Sequence, residues 1–431
     1  MKTLRLLLWV GFYFGFASLA SGQEYTIKPP PTLGGSRLYS QPYGFSDLDQ
    51  IVGASGLVKG INVSHAYLWS KKGGIQDLGT LGGTNSAAMV INDSGQIAGG
   101  SQISGDATEH AFLWTSSGGM QDLGVFPGDD ISMVSGLNNL GQVVGTSWLT
   151  TDVGTQQAFL WAPSTGMAEL TSLGGKQSVA NGISDAGQVV GWFYPGDGFL
   201  HAFVWTANGG VQDLGQNSGA IGVNNLGQVV GSASFASGLH AFLWTSQTGL
   251  QDLGSLGGIS VGNAINQNGQ VVGFFRPSSV ETQRAFIWTP KNGMQDLNQL
   301  IVGKLSKPLV GATAISAAGQ ILAYQSNNTS FVLTPKMTIA VTSSADPSVV
   351  GNAVTFTATV GHAIQGPPPD GEKVRFKDGK VVLGTGTLKN GIATFTTLKL
   401  NAGTHMVVAV YGGDVVYASS TSSIITQVVN Q

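Results

Sequence analysis

The stretch 110–124 reads His-Ala-Phe-Leu-Trp-Thr-Ser-Ser-Gly-Gly-Met-Gln-Asp-Leu-Gly and contains two of the signals that decide the fold. Its first five residues predict an apolar strand, and Gln-Asp-Leu-Gly predicts the end of a second, shorter strand. The central aromatic residue of the first signal recurs at 67, 112, 159, 203, 242, 286 and 331, a spacing of 39 to 47 residues. The chain is therefore built from one repeated unit of β structure.

Two further signals complete the unit. One is a turn of the form Asn-x-x-Gly-Gln followed by a pair of Val or Ile residues, as at 138–144, and the other is a Leu-Gly-Gly corner before a strand rich in Ser and Ala. Glycine accepts the positive φ that such tight turns require. Four strands within 40 to 50 residues predict a β-propeller blade, and continuously apolar strands suit sheets covered on both faces. A β-solenoid, which usually has a shorter period, is the alternative.

The two ends of the repeat region complement each other. The last unit stops near Phe331 without a Gln-Asp-Leu strand, whereas residues 27–35 align with residues 75–83, which contain one. Residues 25–28 are thus predicted to pair into the final blade and close the ring. Seven copies of each signal predict seven four-stranded blades, with six or eight as alternatives if a degenerate copy is miscounted. Closure removes long unpaired edges, which would otherwise template aggregation.

The two signals quoted first resemble the HAF repeats of bacterial extracellular proteins, over about residues 30–335. The resemblance implies a secreted bacterial protein with a propeller-like fold and attaches no activity to it. Three units replace the first histidine by Gln157, Arg284 or Thr329. A functional ring of histidines is therefore not implied.

A different pattern begins after Pro335. Short alternating stretches at 338–341, 353–360, 374–377, 391–398 and 405–411 are separated by turns such as Asn390-Gly391. Such spacing is typical of a β-sandwich. The stretches 374–379 and 411–420 resemble bacterial Ig-like repeat domains, which act as spacers or adhesive units. The expected organisation is a signal peptide at 1–22, a propeller at 23–335 and an Ig-like domain at 336–431.

The first residues predict export. Lys2 and Arg5 precede the apolar run 6–17, and residues 17–22 offer small side chains for cleavage near Gly22. About 12 apolar residues are too few to span a bilayer, which needs about 20. We therefore expect a secreted or surface protein, with the periplasm as an alternative, and no membrane span in the mature chain.

Composition excludes several classes of function. The chain has no cysteine, so disulfides, thiolate metal sites and thiol nucleophiles are absent. The predicted ring has 18 acidic and 11 basic residues, without a basic patch. Nucleic acid is therefore not an expected partner, and no cofactor is predicted.

The repeated polar residues are expected to be structural. Metal ligands must converge to about 2 Å from one ion, which equivalent positions on different blades do not favour. The repeated aspartates are expected to accept hydrogen bonds from turn amides, and Asp129-Asp130 is read as a turn. No nucleophile elbow, the strand-to-helix turn that carries a catalytic serine, is evident. These observations predict a protein that is not an enzyme. The repeated positions are His65, His110, His201 and His240, and Asp77, Asp122, Asp213, Asp252 and Asp296.

The units differ most in the loop before the His-Ala-Phe strand, and a ligand site is predicted there. Flat aromatic side chains suit sugar faces or peptide surfaces, so a carbohydrate or protein ligand is expected. The alternative is that these residues pack between blades. The leading hypothesis is a non-catalytic binding or scaffold protein; a polysaccharide hydrolase or lyase, by fold analogy alone, and a purely structural envelope protein are alternatives. The candidate residues are Trp148, Trp192, Tyr194, Phe235, Phe274 and Arg276.

Overall fold

The computed structural model describes residues 24–33, 40–46, 48, 50–58, 63–170, 177–361, 370–413 and 417–431. The predicted signal peptide and its cleavage site lie outside these residues. Within them, no helix has the length and apolar character needed to cross a membrane.

Seven four-stranded antiparallel sheets form the blades of a propeller. In each blade the chain runs from the first, innermost strand to the fourth, outermost strand, and the first strands of successive blades contact each other. Blades 1 to 3 contain β2 (Ser40–Phe45), β3 (Ile51–Gly56), β4 (Ser64–Ser70) and β5 (Gly74–Asp77); β6 (Gly82–Ile91), β7 (Ile97–Ile103), β8 (Glu109–Thr115) and β9 (Gly119–Asp122); and β10 (Ile131–Leu137), β11 (Val143–Leu149), β12 (Asp152–Ala162) and β13 (Gly166–Glu169).

The remaining blades continue the same order. Blades 4 to 6 contain β14 (Ser178–Ile183), β15 (Val189–Phe193), β16 (His201–Thr206) and β17 (Gly210–Gln216); β18 (Ser218–Val223), β19 (Val229–Phe235), β20 (Gly238–Thr245) and β21 (Gly249–Asp252); and β22 (Gly258–Ile265), β23 (Val271–Pro277), β24 (Arg284–Thr289) and β25 (Gly293–Asp296). A short 3₁₀ helix, Leu297–Gln299, leads to blade 7, which contains β26 (Leu309–Ile315), β27 (Ile321–Gln325), β28 (Ser330–Pro335) and, as its outermost strand, β1 (Tyr25–Lys28).

The apolar third strand of each blade lies between the neighbouring blades. In β8, residues Ala111 to Trp114 are all buried, and the central aromatic residues Phe112, Phe159, Phe203, Phe242 and Phe286 have no exposed surface. Phe203, for example, packs with Val144 and Leu170 of blade 3. The prediction of strands covered on both faces is confirmed, because consecutive residues pack against opposite neighbours.

The N-terminal strand closes the ring as predicted. β1 pairs with β28 so that Ile27 lies opposite Leu333, which is the register of Ile75 opposite Trp69 in blade 1. Blade 7 then packs on blade 1 through Leu322 and Tyr67. The prediction of seven four-stranded blades is confirmed, and the alternatives of six or eight are wrong.

Serine side chains join successive blades. The Ser132 hydroxyl at the start of blade 3 accepts a hydrogen bond from the amide of Ala111 in blade 2 (2.8 Å) and donates to the carbonyl of Gly124 (2.7 Å). Without this serine the buried Ala111 amide would have no ladder partner, because the short fourth strand ends at Asp122. Equivalent bonds from the next blade reach the amides of Ala66, Ala158, Ala202 and Ala241.

The Asn-x-x-Gly-Gln turns form a belt around the axis at the opposite end of the blades from their second-to-third-strand loops. Asn138 caps its own turn by accepting from the amides of Leu140 and Gln142, and its side-chain amide donates to the Ser184 carbonyl of the next blade (3.1 Å). Asn139 also donates to the carboxylates of Asp93 and Asp185 on the blades at either side. Turns predicted as local hairpins thus also fasten the blades to one another.

A β-sandwich follows, with its strands in two sheets. A three-stranded sheet contains β29 (Thr338–Ser343), β31 (Val354–Gly361) and β34 (Ile392–Thr397). The other contains β30 (Ser348–Val349), β32 (Lys373–Asp378), β33 (Val381–Thr387), β35 (Gly403–Tyr411), β36 (Ser420–Thr421) and β37 (Ile425–Asn430). Phe356, Phe376 and Tyr411 fill the core between the sheets. The predicted sandwich is confirmed, although β33 and β37 were not among the predicted strands.

Candidate ligand-binding face of the propeller

The loops between second and third strands all lie at one end of the ring, because every blade runs in the same direction from the axis outward. The fourth strands end there too, and their connections to the next blade cross the same end. We call this end the loop face. It is the surface on which the sequence predicts a ligand site.

The structure places the six candidate residues at the loop-face ends of equivalent second strands on four adjacent blades. Trp148 lies on β11, Trp192 on β15 and Phe274 on β23, and all three are half-buried. Tyr194 follows β15, and its ring meets that of Trp192 edge to face, with centroids 5.8 Å apart. Among the six, this is the ring pair that the structure brings into contact.

Two of the six differ in exposure and packing. Phe235, at the end of β19, packs against the apolar cluster between blades 4 and 5, and its ring centroid lies 6.3 Å from that of His240. This side chain therefore contributes to blade packing, as the alternative interpretation expected. Arg276 is exposed and lines a cavity of about 600 Å³ together with residues 277–281.

The structure adds two tyrosines that the sequence interpretation missed. Tyr324 occupies on β27 the position that Trp192 and Phe274 occupy on β15 and β23, and with Tyr43 it lines a cavity of about 250 Å³ between blades 7 and 1. The signal was present, because Tyr324 follows Ile-Leu-Ala where the other units have Val-Val-Gly. Aromatic residues at this end thus extend from blade 3 to blade 7.

The loop face is rich in carboxylates. Its described basic residues are Lys28, Arg276, Arg284, Lys304 and Lys307. Among the described residues of this end, carboxylates therefore outnumber basic side chains. Of the ring's 18 acidic residues, the 13 that the strand order places there are Asp77, Asp106, Glu109, Asp122, Asp129, Asp130, Asp152, Glu169, Asp197, Asp213, Asp252, Glu281 and Asp296.

Each repeated histidine pairs with the repeated aspartate of its own blade. His110 Nδ1 lies 2.9 Å from the Asp122 carboxylate, which also accepts from the Gly124 amide (2.8 Å). In blade 6, Arg284 takes the place of histidine, 2.7 Å from Asp296. The predicted role of the aspartates in capping turn amides is confirmed, and the histidine partner is an addition. Within the described residues, no three metal-ligating side chains converge.

His201 differs because both of its ring nitrogens face carboxylates. Nδ1 lies 2.8 Å from Asp213 and Nε2 lies 2.9 Å from Asp197 in the preceding loop. Carboxylates only accept hydrogen bonds, so both contacts are satisfied when the imidazole has two protons. Burial opposes that charge, but the bonds to Asp213 and Asp197 outweigh it and raise the pKa of His201. His201 thus joins the loop that follows Tyr194 to Asp213 on β17.

One Ser-His-Asp grouping also occurs on the loop face. The Ser237 hydroxyl lies 3.3 Å from His240 Nδ1, and the Asp252 carboxylate lies 2.9 Å from the same nitrogen. A catalytic relay needs the hydroxyl and the carboxylate on different ring nitrogens. This geometry therefore does not activate the serine.

Asp129-Asp130 forms the turn that the sequence predicts. The Asp129 amide donates a hydrogen bond to the Phe126 carbonyl (3.0 Å).

The described chain is thus an all-β protein that combines a seven-bladed propeller with an Ig-like β-sandwich. Residues 341–430 match the family model of the bacterial Ig-like domain (group 3). No curated protein matches the chain.

Solved structures with detectable similarity include TolB from Acinetobacter baumannii, 13% identical over 69% of this chain and 79% of that one, with a TM-score of 0.38. The fibronectin(III)-like modules of Clostridium thermocellum CbhA are 18% identical over 21% of this chain and 94% of that one (TM-score 0.18). The extracellular domain of a putative one-component system from B. thetaiotaomicron is 9% identical over 91% and 86% (TM-score 0.22).

Proposed function

We propose that the protein is a secreted, non-catalytic binding protein of the bacterial cell exterior, with its ligand site on the loop face. The observation that supports this most is the presence of aromatic side chains near the loop-face ends of the second strands of blades 3, 4, 6 and 7; Trp192, Phe274 and Tyr324 share one strand position, and Trp148 lies two residues further along its strand. A rigid scaffold that presents variable loops is a common arrangement for recognition. The Ig-like part then spaces or attaches the ring.

A carbohydrate is the favoured ligand class. Half-buried indole and phenol rings offer flat apolar surface for sugar C–H groups, and nearby carboxylates accept hydrogen bonds from sugar hydroxyls. Trp192 and Tyr194 supply the rings, and Asp197 follows in the same loop. A protein ligand is the second possibility, and the resemblance of residues 30–335 to HAF repeats remains a prediction that fits either ligand.

Binding to a glycan array and pull-down from extracellular extracts test the proposal. We expect the double variant Trp148→Ala and Tyr194→Ala to lose about tenfold or more in affinity, because removing one stacked ring costs on the order of 1–3 kcal/mol. The matched control is Leu140→Ala, which removes an exposed apolar side chain on the opposite end of the ring.

If the double variant binds as well as the wild type, the ligand site does not lie at these strand ends. The protein would instead be an enzyme if it turns over a polysaccharide and loses this activity when one loop-face carboxylate is changed to its amide. Equal loss in the Leu140→Ala control would show that the assay reports folding and not recognition.

A further inference from the structure

Among the described residues, the apolar cluster at the seam between blades 7 and 1 is smaller than the clusters at the other six seams. It contains four buried residues, whereas the cluster at each other seam contains eight or ten. The seven copies of the unit serve as internal references for one another.

The sequence of the closing strand explains the smaller cluster. Pro29 and Pro30 stand where blade 1 has Asp77 and Leu78, since the register of β1 matches that of β5. The leucine at this position is half-buried after blade 4, as Leu214, and buried after the five other blades, as Leu78, Leu123, Leu170, Leu253 and Leu297. Pro30 is buried but is smaller than leucine, and Pro29 stands where the six other blades have a carboxylate, which is Glu169 in blade 3 and an aspartate in the others.

A cavity of about 860 Å³ opens at this seam, and residues 417–419 of the Ig-like sandwich close one end of it. Lys28 and Lys71 supply positive charge to its lining, and within the described residues neither forms an ion pair. By contrast, Lys336 nearby is paired with Glu24 at 2.8 Å. Two lysines beside a cavity of ligand size favour an anionic ligand.

The other residues that line the cavity indicate the chemical class of its ligand. Trp69 is half-buried at the cavity, whereas Trp114, Trp161, Trp244 and Trp288 at equivalent positions are buried and Trp205 is also half-buried. Thr26, Thr334 and Gln320 add uncharged hydroxyl and amide groups. An indole face, neutral polar groups and lysines together suit a sugar with carboxylates better than an acidic peptide, whose backbone would need an open strand edge.

We propose that this seam cavity binds a short acidic oligosaccharide, with lysines at the carboxylates and the Trp69 indole against a sugar ring. The site lies at the seam between blades 7 and 1, away from the candidate aromatic residues of blades 3 to 6, and does not depend on the function proposed for those residues. Its ligand joins the closing strand, blade 1 and the Ig-like sandwich, so binding also holds the ring closed.

Calorimetry on the full mature chain tests the proposal with trigalacturonic acid as the probe and maltotriose, also α-1,4-linked, as the neutral reference. We expect saturable binding of trigalacturonic acid that is about tenfold or more tighter than that of maltotriose and weakens as salt screens the lysines. The double variant Lys28→Gln and Lys71→Gln should lose about tenfold or more. The matched control is Lys291→Gln, in the equivalent turn of blade 6, and should bind normally.

Several results would overturn the proposal: no saturable binding, equal affinity for maltotriose, full binding by the double lysine variant, or equal loss in the Lys291 control. The loop-face variant Trp148→Ala and Tyr194→Ala separates the two sites. It should keep trigalacturonic acid binding; if it loses binding while the lysine variant retains it, the acidic sugar belongs to the loop face and the seam site is wrong.

Discussion

Replacing Tyr25 by alanine should loosen the ring at its closure. Tyr25 has no exposed surface and packs with Leu297, Leu309 and Leu333 between blades 6 and 7. Its backbone is fixed independently of the side chain, since the amide donates to Leu300 (2.7 Å) and the carbonyl accepts from Val302 (2.8 Å). The variant thus keeps these bonds and loses the ring, a change that costs about 3–5 kcal/mol in a core that cannot collapse.

For a ring of this size, that cost corresponds to a fall in Tm on the order of 10 °C, at about 2–4 °C per kcal/mol. Tryptophan fluorescence during heating is the suitable assay, because every tryptophan after residue 9 lies between 69 and 288 and none lies in the Ig-like part. The signal therefore reports unfolding of the propeller alone. Size-exclusion chromatography should also show association of a chain that lacks residues 25–31, because β28 would then expose an unpaired edge.

The matched control is Lys28→Ala, which removes an exposed side chain from the same strand and should change stability by no more than about 0.5 kcal/mol. If Tyr25→Ala and Lys28→Ala have the same Tm, the closing strand does not stabilise the ring. The same conclusion follows if deleting residues 25–31 leaves the Tm unchanged.

Three further outcomes are expected. Phe203→Ala should lower the free energy of unfolding by about 3–5 kcal/mol, measured by chemical denaturation, because the ring is fully buried between blades 3 and 4. Ser132→Ala should cost about 1–3 kcal/mol, because a buried amide and a carbonyl lose their partner; an equal loss in the control Ser117→Ala, on an exposed turn, would contradict this. The pairing of His201 should stabilise the ring fully below its ordinary pKa of about 6.5 and lose that effect as pH rises through the raised folded pKa. Unfolding of wild type and His201→Gln at several pH values checks this, and a difference that grows with rising pH would refute it.

The pairing of His201 with Asp197 and Asp213 also predicts a change in amide hydrogen exchange in one loop, which a measurement of global unfolding does not detect. Neutral His201 cannot donate to both carboxylates, so residues 194–200 should exchange amide hydrogens faster at high pH. His240, with one carboxylate partner, is the internal reference, and an equal response in its loop would count against a special role for Asp197.

The sequence by itself determined the architecture, because the information is local and repeated. One apolar strand, one Gly turn and one Gln-Asp-Leu end define a blade, and seven copies let weak units such as that around Phe331 be recognised by alignment with stronger ones. The complementary ends predicted even the register of β1, since Ile27 aligns with Ile75. Strand β33 was missed because Gly384 and Gly386 break the alternating pattern; a Cβ at Gly384 would lie 2.0 Å from the Phe395 ring, which needs that space.

Only the tertiary structure decided which side chains from different blades meet. The bond from Ser132 to the Ala111 amide, the Asn139 contacts with both neighbouring blades and the pairing of His201 with Asp197 depend on how blades are rotated about the axis. The seam cavity likewise arises where the two chain ends and the Ig-like sandwich come together. Local patterns encode strands and turns, but contacts across a seam depend on distances that no periodicity in the chain specifies.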